Sequence, residues 1–217
     1  MHFDIITIFP SLFNSFLNES LIKKSAEKKL NKFCVHDLRR WSGNKHNKVD
    51  DTPYGGGAGM IMRAEPIIKA VEKLKTKKTK IILLSPDGKQ WNQNLAKKYA
   101  KLDKLILICG RYQGVDARVE KIINEKISIG PYVMSGGEIP AMTIVESIAR
   151  LVPGYLGNKE SLQDETFSDK DLKKKTYAQY TRPEVLKIKN KNYSVPKVLL
   201  SGNHQKIKEW RKKKLSY

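Results

Sequence analysis

Short apolar runs alternate with segments of helical pattern along the first two-thirds of this chain, and that alternation restricts its fold more than any other feature. Phe3–Phe9 reads as a buried strand closed by Pro10-Ser11, with a helical pattern to about Lys29. Lys32–Leu38 is a second strand, and a long loop then runs from Arg39 to Arg63. A helix over Ala64–Lys75 leads to strand Lys80–Ser85, and one over Asn92–Leu102 to strand Lys104–Cys109. A short strand, Lys126–Ile129, precedes a helix over Glu138–Val152. Such β-α alternation predicts an α/β domain with a mainly parallel sheet. Ligands of such sheets bind beyond the carboxyl ends of the strands. Here those ends are Leu84-Ser85-Pro86-Asp87-Gly88, Gly110–Asp116 and Gly130–Gly137, three turns rich in Gly, Pro and Tyr that together predict one composite pocket.

The loop at 39–63 holds Asp50-Asp51-Thr52-Pro53-Tyr54-Gly55-Gly56-Gly57-Ala58-Gly59-Met60. Four glycines in five positions exclude a regular helix or strand, because glycine costs conformational entropy in either. With no Ser, and with Tyr54 and Met60 at its borders, the run reads as a shaped pocket wall rather than a linker. It lacks the spacing of a Rossmann or P-loop phosphate cradle.

A formal charge of +20 makes nucleic acid the expected partner. Residues 168–217 carry 15 Lys and Arg against 4 Asp and Glu, which predicts a basic appendage on a more balanced domain. Cys34 and Cys109 each lie in an apolar run and read as buried free thiols. His2, His36, His46 and His204 show no metal-ligand spacing with each other or with cysteine, and no metal is expected from them. No apolar stretch reaches membrane-spanning length and no signal peptide is visible, so a soluble, cytoplasmic protein is expected.

On the 138–152 helix, Ala141, Val145, Ile148 and Val152 share one face while Thr143, Glu146, Ser147 and Arg150 share the other. A stripe through Ile144, Ile148 and Leu151 exceeds what an exterior helix of a monomer needs. Residues 153–175 lack periodicity and include Asp164-Glu165-Thr166-Phe167. The organisation expected is an α/β domain over 1–160, a mobile linker over 161–176, and a mostly helical basic appendage over 177–217.

With these segments in view, the chain resembles the bacterial tRNA guanine-N1 methyltransferases of the SPOUT superfamily, essentially from end to end. The resemblance rests on Phe3–Pro10, Asp50–Met60, Leu84–Gly88, Gly110–Asp116, Ser128–Ala141, Ile148–Asn158, Tyr180–Pro183 and Val195–Trp210, in the family's order. It implies an α/β fold with a deep trefoil knot, a small helical C-terminal domain, and a homodimer. It implies methyl transfer from S-adenosylmethionine to N1 of guanosine 37 of tRNA, and raises Mg2+ as an assisting ion. Carried over by position, the cofactor site falls on Leu84, Ser85, Pro86, Gly110, Tyr112, Ile129, Gly130, Pro131, Tyr132, Val133, Met134, Gly136, Gly137 and Pro140. At Gly137 the turn is expected to bring backbone close to the ligand.

Contacts to tRNA are implied at Asp50, Gly55, Gly56, Gly57, Gly59 and Arg182. N1 of guanine is a poor nucleophile until its proton leaves, so the chemistry needs a base at N1 and a cation at O6. The resemblance places these at Glu165 and Arg150. Glu165 stands where relatives carry Asp, Gln113 where they carry Glu, and Pro131 where they carry Asp. Those departures define the alternative, a tRNA-binding protein that keeps the fold with little catalysis.

Overall fold

In the computed structural model, residues 1–157, 166–167 and 177–213 are described. The chain divides into two compact units, Met1–Gly157 and Asn158–Tyr217.

In the first unit β1 (His2–Thr7) leads through a 3-10 turn to α1 (Asn14–Leu17) and α2 (Ser20–Glu27), then to β2 (Lys32–Asp37). A two-residue ribbon, β3 (Asp50–Asp51) with β4 (Ile61–Met62), brackets the glycine run. There follow α3 (Ala64–Leu74), β5 (Thr79–Gln90), α4 (Gln93–Tyr99), β6 (Lys104–Cys109), β7 (Glu125–Ser128) and α5 (Glu138–Ala149). The main sheet has five strands in the order β2-β1-β6-β5-β7, and every pair is parallel. All five therefore end at the same edge, where the turns predicted to form the pocket lie.

Strand alternation sends successive side chains to opposite faces, and both faces are covered. Phe3, Ile5, Leu105, Leu107 and Ile127 pack with Ala141, Ile144, Val145 and Ile148 of α5. Ile6, Ile8, Ile106 and Ile108 pack with Ile67, Ala70 and Val71 of α3. Each Val, Leu, Ile or Phe side chain among these, once buried, contributes about 1.5–3 kcal/mol.

Ile144 and Ile148 are fully buried in this core. The apolar stripe on α5 is thus satisfied within one chain, and a homodimer does not follow from it. Cys109 is buried as expected, and burial pushes its thiol pKa well above the ordinary value. Cys34, on the edge strand β2, is only partly covered.

β5 continues where a loop was expected. Its register against β7 shifts between Leu84 and Lys89, so Ser85–Gly88 bulges out and pairing resumes at Lys89 and Gln90. Gly88 permits this close return: a Cβ there would lie 2.5 Å from the Ile127 nitrogen.

In the second unit, β8 (Val185–Ile188) and β9 (Lys191–Ser194) form an antiparallel hairpin, followed by α6 (Lys197–Leu200) and α7 (His204–Lys213). The appendage is thus part hairpin rather than mostly helical. The strand Val185–Ile188, Val-Leu-Lys-Ile, carries β-branched residues at both ends, and Lys189 takes the left-handed conformation (φ 52°) at the turn. Tyr180 packs on Trp210 of α7 with ring centroids 6.3 Å apart, and the Arg211 guanidinium lies 4.7 Å from the centre of the Tyr177 ring.

Gly137 precedes α5, and its close neighbour is backbone rather than open pocket. A Cβ there would lie 2.8 Å from Cys109 Cα and 3.0 Å from the Gly110 nitrogen. Gly137→Val should therefore lose about 1–3 kcal/mol of stability through overpacking, measured by urea unfolding. Gly157→Ala, where nothing lies within 4 Å, should stay within about 0.5 kcal/mol of wild type.

Candidate functional site

Three chain segments leave the carboxyl edge of the sheet and enclose a cavity of about 650 Å³, a size suited to a cofactor. The first is the Ser85–Gly88 bulge of β5, the second Gly110–Asp116 after β6, and the third Ile129–Gly137 after β7. Each residue expected to bind cofactor lines this cavity except Pro131.

Backbone hydrogen bonds hold the segments together. The Gly137 amide donates to the Gly110 carbonyl at 2.9 Å, and Arg111 and Gly136 form an isolated antiparallel bridge. The Ser128 hydroxyl donates to the Gly130 carbonyl at 2.9 Å and accepts from the Gly130 amide at 3.2 Å. Tyr112 and Tyr132 are half-exposed on the cavity wall, and Tyr112 sits at φ 60°. A tyrosine in the left-handed region is an unfavourable conformation retained where the surrounding loop over-determines it. Apolar rings, turn amides and Gly backbone suit a neutral purine better than a phosphate chain.

A buried ion pair underlies the second and third segments. Arg111 Nε donates to Glu138 Oε2 at 2.9 Å, and the Thr7 hydroxyl donates to Glu138 Oε1 at 2.7 Å. Glu138 is 1% exposed. The Arg111 guanidinium also lies 4.7 Å from the centre of the Phe9 ring and donates to the Ser135 carbonyl at 3.3 Å. Sequence reasoning passed over Arg111 and Glu138, although both stand beside glycines already assigned to the pocket. An acidic residue opening a helix was the available signal.

On the other wall, Lys126 pairs with Asp87 and, at 3.1 Å, with Glu120. The Lys126 ammonium and the Ser85 hydroxyl hold the Asp87 carboxyl below its ordinary pKa. Among the described residues the cavity gathers no group of three or more metal-ligating side chains. Gln113 supplies an amide rather than a carboxylate.

The glycine run stands beside the cavity instead of forming its wall, since none of its residues is part of the lining. Gly55, Gly56, Gly57 and Gly59 all have positive φ, which carries the loop outward from the β3–β4 ribbon. Its base is stitched to the second segment: Gln113 N donates to Met60 O at 3.2 Å, and Met62 N to Gly114 O at 3.0 Å. The side chain of Gln113 lies 3.1 Å from where a Gly59 Cβ would stand. Tyr54 is fully exposed, and Asp50 pairs with Met62 in the ribbon.

Arg150 caps the far end of α5. Pro140, on the cavity wall, is ten residues away, or about 15 Å along the axis at 1.5 Å per residue. The first unit therefore does not bring Arg150 to its own cavity. Near Arg150, the Tyr155 hydroxyl donates to Glu146 at 3.3 Å. Glu165 and Asp164 lie outside the described residues. Arg182 is exposed in the second unit, just before Pro183.

Comparison with known proteins gives one family throughout. The family model described as tRNA (Guanine-1)-methyltransferase TrmD matches residues 1–216. A tRNA (guanine-N(1)-)-methyltransferase of Dictyoglomus turgidum is 49% identical over 213 residues, covering 98% of this chain and 84% of the relative. Its namesake in Clostridium novyi is 48% identical over 215 residues, covering 99% and 86%. That of Clostridioides difficile is 44% identical over 217 residues, covering 98% and 91%.

Removing one partner of the buried pair leaves an uncompensated charge, which costs about 3–5 kcal/mol. Glu138→Ala should lose stability on that scale in urea unfolding, whereas Thr7→Val, which deletes the hydroxyl's bond to Glu138 and the one it accepts from the Phe9 amide, should lose about 1–3 kcal/mol.

Proposed function

The chain belongs to the tRNA (guanine-1)-methyltransferase family, and we propose that it methylates N1 of guanosine 37, beside the anticodon, with S-adenosylmethionine bound in the cavity at 85–88, 110–116 and 129–137. One observation carries the placement: the sheet's strand ends gather nearly every residue that the resemblance assigns to the cofactor around one cavity of suitable size. An RNA-binding protein with a vestigial site would have no need of that cavity. The resemblance implies a knot at these segments, and the bonds that hold Gly136 and Gly137 against Gly110 and Arg111 are compatible with it.

When bound, the cofactor supplies an electrophilic methyl group on sulfur. The residues around it orient that group. Backbone amides and carbonyls of the Ser85–Gly88, Gly110 and Ile129–Met134 turns would hold the purine, and Tyr112 and Tyr132 would offer it apolar ring surface. Glu165 would take the N1 proton, which frees the nitrogen lone pair for the methyl carbon while the carbon–sulfur bond breaks and its electron pair stays on a neutral thioether. Arg150 stabilises the negative charge that spreads to O6. Its place about 15 Å along α5 from the cavity wall means that it serves the cavity of a second copy, and we propose a homodimer with composite sites.

The basic second unit, with Arg182 and the lysines of α7, contacts tRNA phosphates, while Asp50 and the glycine run border the target base. Among the described residues no helix is long and apolar enough to cross a membrane, and the proposed tRNA substrate supports the reading of a cytoplasmic enzyme. No step here is assigned to Mg2+.

Single-turnover methylation of an unmodified tRNA transcript, read by mass spectrometry, tests the assignment. Glu165→Gln should lower the rate by about a hundredfold or more while cofactor affinity stays near wild type. Arg150→Ala should also lower turnover, and Asp164→Asn should leave it largely intact. Full activity in Glu165→Gln with loss in Asp164→Asn would move the base to Asp164. Sedimentation should give a dimer at micromolar concentration, and a monomer would overturn the composite site.

A further inference from the structure

The face of the sheet that packs on α3 is apolar except near the amino-terminal ends of its strands. There, β1 offers His2 and Asp4 and β2 offers Cys34 and His36, each pair at i,i+2 and therefore on one face. The strands are parallel neighbours with Asp4 opposite Cys34, so the four side chains converge. The ligand atoms of His2, Asp4 and Cys34 all lie within 4.8 Å of one another. We propose that His2, Asp4 and Cys34 form a binding site for a divalent transition-metal ion of the zinc class.

Both geometry and chemistry favour that class. His2 Nε2 is 3.4 Å from Asp4 Oδ1. A tetrahedral ion with bonds of about 2.0–2.1 Å to nitrogen and oxygen has edges of about that length. Imidazole, carboxylate and thiolate are the donor set zinc selects, whereas Mg2+ and Ca2+ take oxygen alone.

Asp4 is 2% exposed, and His2 Nε2 is buried with no hydrogen-bond partner. A metal would use that nitrogen's lone pair. His36 Nε2 lies 2.7 Å from Asp4 Oδ1 and fits the outer hydrogen bond that typically orients a ligand carboxylate. Lys104 Nζ sits 2.7 Å from the other oxygen, Oδ2. Oδ1 remains the ligating atom, and the ammonium offsets the charge of one anionic ligand.

Three protein ligands leave the fourth position to solvent. Binding would release the Cys34 proton to solvent and clamp edge strand β2 to β1. The site lies at the amino-terminal edge of the sheet, opposite the cavity, and does not depend on the methyl-transfer reading.

The test uses full-length protein without a histidine tag, stripped with chelator, and Co2+ and Zn2+ as probes. One equivalent of Co2+ per chain should bring up a thiolate-to-cobalt charge-transfer absorption, and Zn2+ should displace it. Zn2+ should also raise the melting temperature, as an ion that binds only the folded state must. Cys34→Ser should abolish the absorption, and His2→Gln should weaken Co2+ binding by about a tenfold to a hundredfold. The circular dichroism spectrum and urea unfolding of Cys34→Ser without added metal should match wild type, which shows that the variant folds. No charge-transfer band in the wild type, or a band that persists in Cys34→Ser, would overturn the site.

Discussion

The pocket depends on one buried ion pair. Arg111 belongs to the segment after β6 and Glu138 opens α5, 27 residues later, yet Nε and Oε2 meet at 2.9 Å with Glu138 almost wholly excluded from solvent. Desolvating a carboxylate costs several kcal/mol, which the guanidinium and the Thr7 hydroxyl offset only if their geometry holds. The pair thereby couples three elements: the end of β1, the turn after β6 and the entry to α5. Its second effect is positional. With Arg111 held against Glu138 and the Phe9 ring, the neighbouring Tyr112 is kept at positive φ on the cavity wall.

Close backbone approach is the complementary constraint. Gly88 lies against β7 and Gly137 against the end of β6, each where a Cβ would meet main-chain atoms at 3.0 Å or less. These contacts let a loop leave the sheet and return within a few residues. The cavity is therefore built from short turns anchored at both ends, and short anchored turns hold main-chain donors in fixed positions. A ligand read through backbone groups needs that fixity more than it needs any particular side chain.

Most of this was legible in the sequence because the sheet is buried on both faces. Most of its strands appear as apolar runs, and those of β5, β6 and β7 stop at the turns that become the pocket. The failures have physical causes. β5 resumes after Gly88 because β7 offers it a partner, and pairing across some forty residues leaves no local periodicity. The two strands of the hairpin, Val185–Ile188 and Lys191–Ser194, are four residues each and carry lysines, too short to separate from a basic helix. The glycine run signalled unusual backbone correctly, but positive φ at Gly55–Gly57 and Gly59 turns the loop away from the cavity. The α5 stripe was read as surplus because α4 and the first 3-10 turn, which help to cover it, could not be placed. His2, Asp4, Cys34 and His36 were passed over because their alignment is a property of strand register, not of spacing along the chain.

The distribution of the assigned residues bears on how catalysis could work at all. A base for N1 and a cation for O6 must sit within hydrogen-bond reach of one guanine ring, beside the methyl donor. The cavity meets α5 at Gly137 and Pro140, while Arg150 lies at the other end of that helix. Both ends of α5 are packed into the same core, with Ala141 and Ile148 each fully buried, so the helix cannot slide to close the gap. An arginine side chain does not span about 15 Å. If Arg150 acts on the base, the ring must be presented at a surface where one chain's α5 terminus faces another chain's strand ends. Under the proposed dimer each copy would contribute the cofactor turns to one site and Arg150 to the other. Neither chain alone would then methylate, and water would be kept from the reacting atoms only once both chains and the tRNA were in place.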